Sequence, residues 1–297
     1  MSTPSTPPRT VLVLDTFSLF FRSFHALPPM TTLAGEPTWA IYGFSALLLK
    51  LLREEKPVGV ALALDRPEPT FRHEAYSEYK ATRPPAPSDF VRQLRGLDQL
   101  IDALGFPRFS VRGYEADDVL ATLASELAAQ GEHVLVASGD RDLLQLARDH
   151  VDVLFLGQRG KPPTRYDAAA VEARFGVPAA SLPAYVAMIG DVSDNVPKVK
   201  GLGPVAASKL VAAHGTIAAL LAHADAIESA RLRELVVAHG DQLRASEDLV
   251  RLRDDVPLPE GPRHAGLTHE AIARTTELFE ALEFKSLIPR LTALAPK

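Results

Sequence analysis

The chain has 297 residues, 46% of them apolar, which is enough to bury one large domain or a large domain with a small companion. It contains no cysteine, which excludes disulfides and thiolate metal ligands, so any metal ion has to be bound mainly by oxygen or imidazole. The net charge is −5, but nine of the 37 acidic residues fall in a few short motifs, and the rest of the chain carries a small positive excess. The total charge therefore does not exclude a polyanionic partner.

The N-terminal segment 1–10 is rich in Ser, Thr and Pro, and the first apolar run starts only at Val11. Such a segment lacks the apolar centre of a secretory signal and predicts a disordered tail. The most apolar long stretch, 39–52, is interrupted by Lys50 and is too short to cross a bilayer. It therefore predicts a core helix, and we expect no membrane attachment.

Three short apolar runs are predicted to be buried strands, and they end at Asp15, Asp65 and Asp140. A further strand is predicted at 151–156. Helical periods lie at 39–55, 89–104 and 116–129. Strands that alternate with helices indicate an α/β fold with a mostly parallel central sheet flanked by helices. Because the carboxyl ends of parallel strands meet at one edge of the sheet, the three aspartates are expected to converge there.

Two further acidic motifs lead into predicted helices, namely GYEADD at 113–118 and GDRD at 139–142. So many carboxylates repel one another unless cations offset their charge, which favours a metal site. The alternative is that the acids cap helix N-termini, where free amides and the helix dipole stabilise them.

From residue 168 onward the strand patterns disappear, and a mostly helical second region is predicted. A turn at 190–195 contains Asp191 and Asp194, and a basic, Gly-containing connector at 197–204 opens the next helix. Free amides at such a helix N-terminus are typical of a phosphate-binding hairpin. The alternative is a plain helix–turn–helix unit with solvated lysines. The expected phosphate-binding residues are Lys198, Lys200, Gly201, Gly203 and Lys209.

A basic segment follows the second predicted strand, and this position carries it over the crevice at the sheet edge. It mixes basic residues, tyrosines and prolines. This composition suits contact with phosphates and stacking on nucleobases, although a solvated loop is the alternative. Arg22, after the first strand, is expected to contact phosphate, whereas His25 is expected to be a hydrogen-bonded structural histidine. The important residues of the segment are Arg72, Tyr76, Tyr79, Lys80 and Arg83.

Together these motifs resemble those of the 5′ nucleases, a family that includes the N-terminal 5′–3′ exonuclease domain of bacterial DNA polymerase I, phage 5′ exonucleases and eukaryotic flap endonucleases. The resemblance covers about residues 11–291. Its most specific parts are Thr70-Phe-Arg-His-Glu-Ala-Tyr76, Tyr79-Lys-Ala-x-Arg83, Gly113-Tyr-Glu-Ala-Asp-Asp-Val119, Gly139-Asp-x-Asp142 and Gly190-Asp-x-Ser-Asp-Asn-x-Pro197-x-Val-x-Gly201-x-Gly203.

The resemblance implies a divalent-metal nuclease with two metal positions for Mg²⁺ or Mn²⁺. Lys80 and Arg83 would face the scissile phosphate, and Tyr79 and Arg22 would complete the catalytic set. The outer metal position would be served, partly through water, by Asp118, Asp142, Asp191 and Asp194. The inner position would be held by Asp15, Asp65, Glu115, Asp117 and Asp140.

The resemblance also implies how the chain is organised. Residues 11–167 would form a PIN-like 5′ nuclease core, with a helical arch near 72–100 through which a single-stranded 5′ end passes. Residues 168–297 would be helical, with a helix–three-turn–helix near 185–215 that grips duplex DNA and holds a potassium ion. The expected substrates are DNA with a 5′ flap, overhang or nick, and RNA primer strands. A monomer that acts in replication and repair in the bacterial cytoplasm, at the nucleoid, is expected.

The chemistry of the residues agrees with the resemblance, because hard cations prefer carboxylate and water ligands. Three alternatives use some of the same features. A haloacid-dehalogenase-type phosphatase needs a second acid two residues after Asp15, where this chain has Phe17. A PIN-type ribonuclease would not need the glycine hairpin. A DNA-binding protein without catalysis would present nine acids that repel DNA unless they bind metal.

Overall fold

The computed structural model describes residues 9–157 and 161–296, so the predicted tail falls almost wholly outside the described residues. Its centre is one six-stranded sheet. The strands are β1 (Thr10–Asp15), β2 (Gly59–Ala63), β3 (Arg108–Phe109), β4 (His133–Ser138), β5 (Val151–Phe155) and β6 (Thr164–Tyr166). Their order across the sheet is β3-β2-β1-β4-β5-β6, and all neighbours are parallel except β5 and β6.

Helices surround the sheet and make up most of the chain after residue 168. They are α1 (Thr16–Ala26), α2 (Trp39–Glu55), α3 (Phe71–Ala75), α4 (Ser88–Leu104), α5 (Ala116–Ala129), α6 (Ala168–Phe175), α7 (Leu182–Ile189), α8 (Pro204–His214), α9 (Ile217–Ala222), α10 (Ala230–Ala238), α11 (Gly240–Val250), α12 (His269–Ala281) and α13 (Ile288–Thr292). Short 3₁₀ helices occupy Asp142–Leu146, Ala179–Ser181 and Ala224–Ala226.

Both faces of the sheet are buried, as the uninterrupted apolar runs of the central strands require. In β1, Val11 and Val13 pack into a core that contains α5, α7 and α8. Leu12 and Leu14 point the other way, into a core formed with α1, α2, α4 and α12. The sheet is therefore held between two apolar layers, and only its edges and strand ends remain open for polar side chains.

The predicted fold class is confirmed: a mostly parallel sheet is flanked by helices and followed by a helical region. The predicted bounds of α2 and α5 agree with the structure to the residue. The two-residue strand β3 and the antiparallel strand β6 were not predicted, because so short a run carries no readable alternation. No described helix is long and apolar enough to cross a membrane.

The range predicted for the arch needs correction. Only about 71–87, with the short helix α3 and a series of turns, lies outside the two apolar layers that cover the sheet. The rest of the range belongs to α4, which packs Phe90 and Leu97 against α1 and α2 and buries the Gln93 amide on the backbone of Ala40. Apolar residues at helical spacing within α4 outweigh the basic ones, so this helix is part of the core.

Candidate metal centre and nucleic-acid interface

Three aspartates lie at the carboxyl ends of three adjacent strands. Asp15 closes β1, Asp65 follows β2 by two residues, and Asp140 follows β4 by two residues. Since β2, β1 and β4 are neighbours in the sheet, the convergence expected from the topology is observed. Burial raises the pKa of Asp15, and the negative charges of Asp65 and Asp140 raise it further, as expected for carboxylates at one edge of the sheet.

Helix α5 brings two more acids to this edge. Its first residue donates a backbone hydrogen bond from Ala116 N to Asp65 Oδ1 at 2.9 Å, which fixes the helix N-terminus against β2. Glu115 caps the helix and is buried, whereas Asp117 is half-buried and has no side-chain hydrogen bond to the described residues. Asp117 is thus directed into the acidic cluster without a partner among those residues.

The environment strongly disfavours the charged forms of these acids. Burial raises the pKa of Asp15 to about 7, and the negative charges of Asp65 and Asp140 add to the rise. Hydrogen bonds from Ser138 Oγ at 2.5 Å and from Ser18 N at 3.2 Å oppose it. Without a cation, this carboxylate is therefore costly to ionise.

The pKa values of Asp117 and Asp140 are raised as well. Burial raises the pKa of Asp117 well above its ordinary value, and repulsion from Asp140 and Asp15 adds to it. Burial also raises the pKa of Asp140, although Asp140 Oδ1 accepts a hydrogen bond from Asp142 N at 2.9 Å. Several neighbouring carboxylates with raised pKa values are typical of a site that binds cations.

A second group of acids lies next to the first. Burial raises the pKa of Asp142 well above its ordinary value, with further increases from Asp140, Asp194 and Asp191. Burial alone would also raise the pKa of Asp194, but the charges of Lys80 and Arg83 lower it below its ordinary value. Asp191 Oδ1 accepts hydrogen bonds from Ser193 N and Oγ, each at 2.6 Å, which shape the 190–195 turn.

The basic segment 71–87 reaches directly into these acids. Lys80 Nζ lies 2.8 Å from Glu115 Oε1 and 3.7 Å from Asp194 Oδ2. Arg83 Nη2 donates to Asp194 Oδ1 at 2.6 Å, and the buried Tyr79 hydroxyl lies within hydrogen-bond distance of Glu115 Oε2 at 3.0 Å and Asp194 Oδ2 at 2.9 Å. Tyr79, Lys80 and Arg83 are therefore brought to the acids, as their sequence positions predicted.

Two left-handed residues join the segment to the 190–195 turn. Lys80 has φ +56° and donates its backbone N–H to Asp194 O at 3.1 Å. Asn195 has φ +58° and donates from its side chain to Glu78 O at 2.8 Å. A lysine in the left-handed conformation costs roughly 1 kcal/mol or more, and these hydrogen bonds offset that cost and hold Lys80 in place.

The structure corrects the roles expected for Arg72 and Asp118. Arg72 is 1% exposed and Asp118 is 0% exposed, and their side chains form a bidentate ion pair at 2.6 and 2.7 Å. Arg72 also donates to Leu249 O at 2.7 Å and Arg251 O at 3.1 Å. Arg72 therefore holds the basic segment on α5 and α11 and is not placed to touch DNA, while the capping alternative applies to Asp118, which is not placed to bind metal.

Arg22, Tyr76 and His25 lie outside the acidic cluster. Half-buried Arg22 donates from Nη1 to Gly157 O at 2.5 Å, and burial lowers its pKa. Tyr76 is half-buried at the base of the basic segment. His25 is exposed, makes edge contacts with Phe21 and Phe24, and has no hydrogen bond to the described residues, so its predicted hydrogen-bonded role is wrong.

The predicted hairpin is formed by α7, the connector 190–203 and α8. Gly190 has φ +73°, and a Cβ there would lie 2.8 Å from the Lys198 backbone, so glycine is required. Gly201 has φ +101°, and Gly203 opens α8 without a side-chain cap. The three lysines are exposed around the open α8 N-terminus, which leaves them free to meet an anion: Lys198, Lys200 and Lys209.

The carboxylate chemistry of the acids suits a hard divalent cation, but the described acids are not spaced to enclose one in this structure. Across residues 9–157 and 161–296, no group of three acids or histidines is arranged to enclose a metal ion. Two of the acids have cationic side chains as counter-ions, because Lys80 pairs with Glu115 and Arg83 pairs with Asp194. Carboxylate donors with raised pKa values fit Mg²⁺ or Mn²⁺ once the Lys80 ammonium is released from Glu115.

Two serines in this site were not predicted from the sequence. Ser138 Oγ donates to Asp15 and accepts from Asp140 N at 2.9 Å, so one hydroxyl orients both strand-end aspartates. Ser18 N donates to Asp15 Oδ1 because Asp15 is the N-cap of α1. The available signal was the small hydroxyl residue directly before Gly139-Asp140, at the end of a strand.

Comparison with known families and proteins gives consistent matches along nearly the whole chain. Residues 10–176 match the model of the 5′–3′ exonuclease N-terminal resolvase-like domain, and residues 177–272 match that of the 5′–3′ exonuclease C-terminal SAM fold. The thermostable DNA polymerase I of Thermus thermophilus is 43% identical over 85% of the chain and 30% of its own length. DNA polymerase I of Mycobacterium bovis is 38% identical over 95% of the chain and 31% of its own length. The chain spans about a third of the length of these relatives.

Solved structures share the fold at low sequence identity. A flap endonuclease of bacteriophage T5, in a pseudo-enzyme-product complex with DNA and metal ions, aligns with a TM-score of 0.68 and 18% identity, over 96% of this chain and 99% of its own. Human GEN1 in complex with Holliday junction DNA aligns with a TM-score of 0.65 and 13% identity, over 96% of this chain and 72% of its own.

Proposed function

The chain belongs to the 5′–3′ exonuclease family, and we propose that it is a divalent-metal-dependent, structure-specific 5′ nuclease that hydrolyses phosphodiester bonds in DNA. The observation that carries this proposal is the combination at one sheet edge of carboxylates with raised pKa values and the cations of Lys80 and Arg83. The T5 flap endonuclease of the same fold, solved with DNA and metal ions, supports it.

In this proposal the inner cation is held by Asp15, Asp65, Glu115, Asp117 and Asp140. The outer position is served by Asp142, Asp191 and Asp194. The chemistry supplied by Mg²⁺ or Mn²⁺ at these positions would be a lower pKa of the attacking water and stabilisation of the leaving 3′ oxygen. No side chain of the protein has to act as a nucleophile.

The side chains of the basic segment have a separate role in the reaction. Lys80 and Arg83 offset the negative charge that develops on the phosphate in the transition state. The Tyr79 hydroxyl lies between the carboxylates of Glu115 and Asp194, so it fixes their positions relative to the proposed metal ions. Arg72 holds the start of this segment on α5 through Asp118. The reaction therefore depends on a segment that is attached to the metal site at several points.

We further propose that α7, the connector and α8 bind the backbone of the duplex, with the exposed lysines and free amides of α8 as phosphate ligands. A potassium ion bound by connector carbonyls would complete this helix–three-turn–helix. The substrates would be DNA with a 5′ flap, overhang or nick, with RNA primer strands as a second class. The protein would act as a monomer in replication and repair, in the bacterial cytoplasm at the nucleoid.

Incubation with a 5′-labelled flap substrate tests the proposal. We expect cleavage near the flap junction in Mg²⁺ and binding without cleavage in Ca²⁺. The Asp140→Asn variant is the matched control for contaminating nucleases. Binding without cleavage in both Mg²⁺ and Mn²⁺ would instead support the alternative of a DNA-binding protein without catalysis.

A further inference from the structure

A cavity of about 440 Å³ lies beside the basic segment and outside the acidic cluster. Three separate parts of the chain meet there: the end of α3, the residue Pro197 that precedes the hairpin lysines, and α11 with its exit. We propose that this cavity, which we call the α3–α11 pocket, binds one unpaired nucleobase of the DNA strand. This inference rests on the proposed function and adds a base-recognition site to it.

The volume of the α3–α11 pocket suits a single nucleoside. Pockets that enclose small ligands measure about 300–1,000 Å³, and this one lies in the lower half of that range. Its lining is mostly apolar and includes Leu249, which is 7% exposed. An α-helix of a protein partner has a diameter of about 10–12 Å and needs a long groove, so it does not fit this pocket.

The walls offer the flat surfaces on which bases stack. Tyr76, which is half-buried, is one of the lining residues. Phe71 and Arg253 also line the pocket, and the Arg253 guanidinium is 4.0 Å from the Phe71 ring centroid, while the buried Arg72 is 4.5 Å from the same centroid. Aromatic and guanidinium planes of this kind bind bases of any sequence.

Arg253 and Asp248 bring opposite charges to the lining of the pocket, so the described residues that line it carry no net positive charge to attract a phosphate. Asp248 is exposed and negative, so it repels phosphate oxygens but accepts a hydrogen bond from an exocyclic amine. Adenine, cytosine and guanine carry such an amine and thymine does not. The Gln242 amide and the Ser246 hydroxyl can donate or accept at the base edge. The pocket is therefore expected to disfavour thymine.

The position of the pocket connects the two DNA-binding regions of the proposed function. Tyr76 lies three residues before Tyr79 at the metal site, and Pro197 lies directly before Lys198 of the hairpin connector. In this proposal, a DNA strand that contacts both Lys80 and Lys198 passes the pocket and places one unpaired base in it.

Binding measurements in Ca²⁺ with DNA that lacks one base at a time test the proposal. For the wild-type protein, we expect one unpaired position at which base removal weakens binding roughly 10-fold. Ala245→Trp places an indole in the pocket from the exposed face of α11, and it should abolish this dependence on a single base. The matched control is Ala273→Trp, an exposed position on α12, which should retain it.

Two further measurements make the outcome decisive. Asp248→Asn should reduce the preference for adenine over thymine at the sensitive position. The fluorescence of 2-aminopurine placed at that position should be quenched by the wild-type protein but not by Ala245→Trp. Equal binding of all base-deleted substrates, or unchanged dependence in folded Ala245→Trp, would overturn the pocket assignment. Failure of the wild-type protein to cleave in Mg²⁺ would reject the nuclease proposal alone, because the binding arms need no turnover.

Discussion

The acidic sheet edge and the hairpin connector differ in burial, in charge and in how their side chains are held. Asp15 is 3% exposed and Glu115 is 7% exposed, and each is fixed by several hydrogen bonds. The lysines of the connector are exposed, and a Cβ added at Gly203 would meet no protein atom within 4 Å. The first region is thus a dense and preorganised site, and the second is an open surface.

This difference determines how each region can contribute to catalysis. Charges in a buried cluster interact strongly and in pairs, so a change at one carboxylate alters the others. Exposed lysines interact weakly with each other and are screened by salt, so their contributions to DNA binding should nearly add. Chemistry is therefore expected to depend on the sheet edge, and affinity on the connector.

The largest effect is expected at the acids. Asp140→Asn or Asp117→Asn should lower the cleavage rate by roughly 10³-fold or more, because each removes a cation ligand from the inner cluster. In the absence of metal the same variants should be more stable than the wild type, since each removes a charge that burial and its neighbours disfavour. Single-turnover cleavage in Mg²⁺ and urea denaturation in EDTA measure the two effects.

Asp241→Asn on α11 is the matched control for these variants, because the Asp241 side chain is fully exposed. It should leave both the cleavage rate and the stability nearly unchanged. If Asp117→Asn and Asp140→Asn cleaved at the wild-type rate in saturating Mg²⁺, these carboxylates would be helix caps and strand-end acids without a catalytic role.

The next effect concerns Lys80, which links the two halves of the site. Lys80→Ala should lower the single-turnover rate by about 10²-fold and weaken duplex binding much less, because its charge is most useful in the transition state. It should also tighten Mn²⁺ binding to the DNA-free protein, since Glu115 loses its counter-ion at 2.8 Å. Rate measurements and Mn²⁺ titrations followed by electron paramagnetic resonance test both parts.

Lys285→Ala, at an exposed position after α12, is the control for loss of one positive charge. A Lys80→Ala protein with lower DNA affinity and an unchanged chemical rate would show that Lys80 only positions the substrate. Unchanged Mn²⁺ affinity would show that the ion pair with Glu115 does not compete with metal.

Much of the fold and of the acidic edge could be predicted from the sequence. Uninterrupted apolar runs ending at Asp15 and Asp140 predict buried parallel strands, and topology then requires their carboxyl ends to meet. The pattern did not reveal that Asp118 pairs with Arg72, because a sequence does not show which of several acids lies opposite a distant arginine. The number of carboxylates was more easily predicted than their partners.

The basic segment also shows that partners are harder to predict than residue types. A mixture of basic residues and tyrosines predicts an exposed segment, but Tyr79 is 4% exposed because its hydroxyl lies between Glu115 and Asp194. Contacts between residues more than 100 positions apart, such as Arg83 with Asp194, decide where the segment lies. Such contacts depend on the packed tertiary structure and leave no local periodic signal.

The pH dependence of stability separates the two regions without any substrate. The pKa of Asp15 rises from 3.8 to about 7 on folding, so the folded, metal-free protein keeps a proton that the unfolded chain releases. The free energy of unfolding should therefore fall as the pH rises from about 4 through 7, by on the order of 4 kcal/mol for this group. Asp15→Asn should remove this part of the decline.

Urea denaturation in EDTA at pH 5 and pH 8 measures this effect. Lys200→Ala serves as the comparison from the connector, and its stability should follow the wild-type pH profile because Lys200 is exposed. Saturating Mg²⁺ should flatten the wild-type profile, since cations offset the charges of the cluster. A decline that is the same in Asp15→Asn and in the wild type would show that Asp15 does not carry the proton.

The smallest effects are expected at the connector, and they should appear in affinity alone. Lys200→Ala should weaken binding of duplex-bearing DNA a few-fold and lower the slope of log K against log salt by about 1, as expected for one lost phosphate contact.

Gly203→Ala should fold normally, because φ at Gly203 is −99° and its Cβ would meet no protein atom within 4 Å. Its added methyl group would meet only the approaching backbone of the DNA. Titrations in Ca²⁺ at several salt concentrations should show losses for duplex-bearing substrates and none for a bare single strand. Equal losses on both substrates would mean that the connector is a nonspecific basic surface, and the division of roles between the two regions would then be wrong.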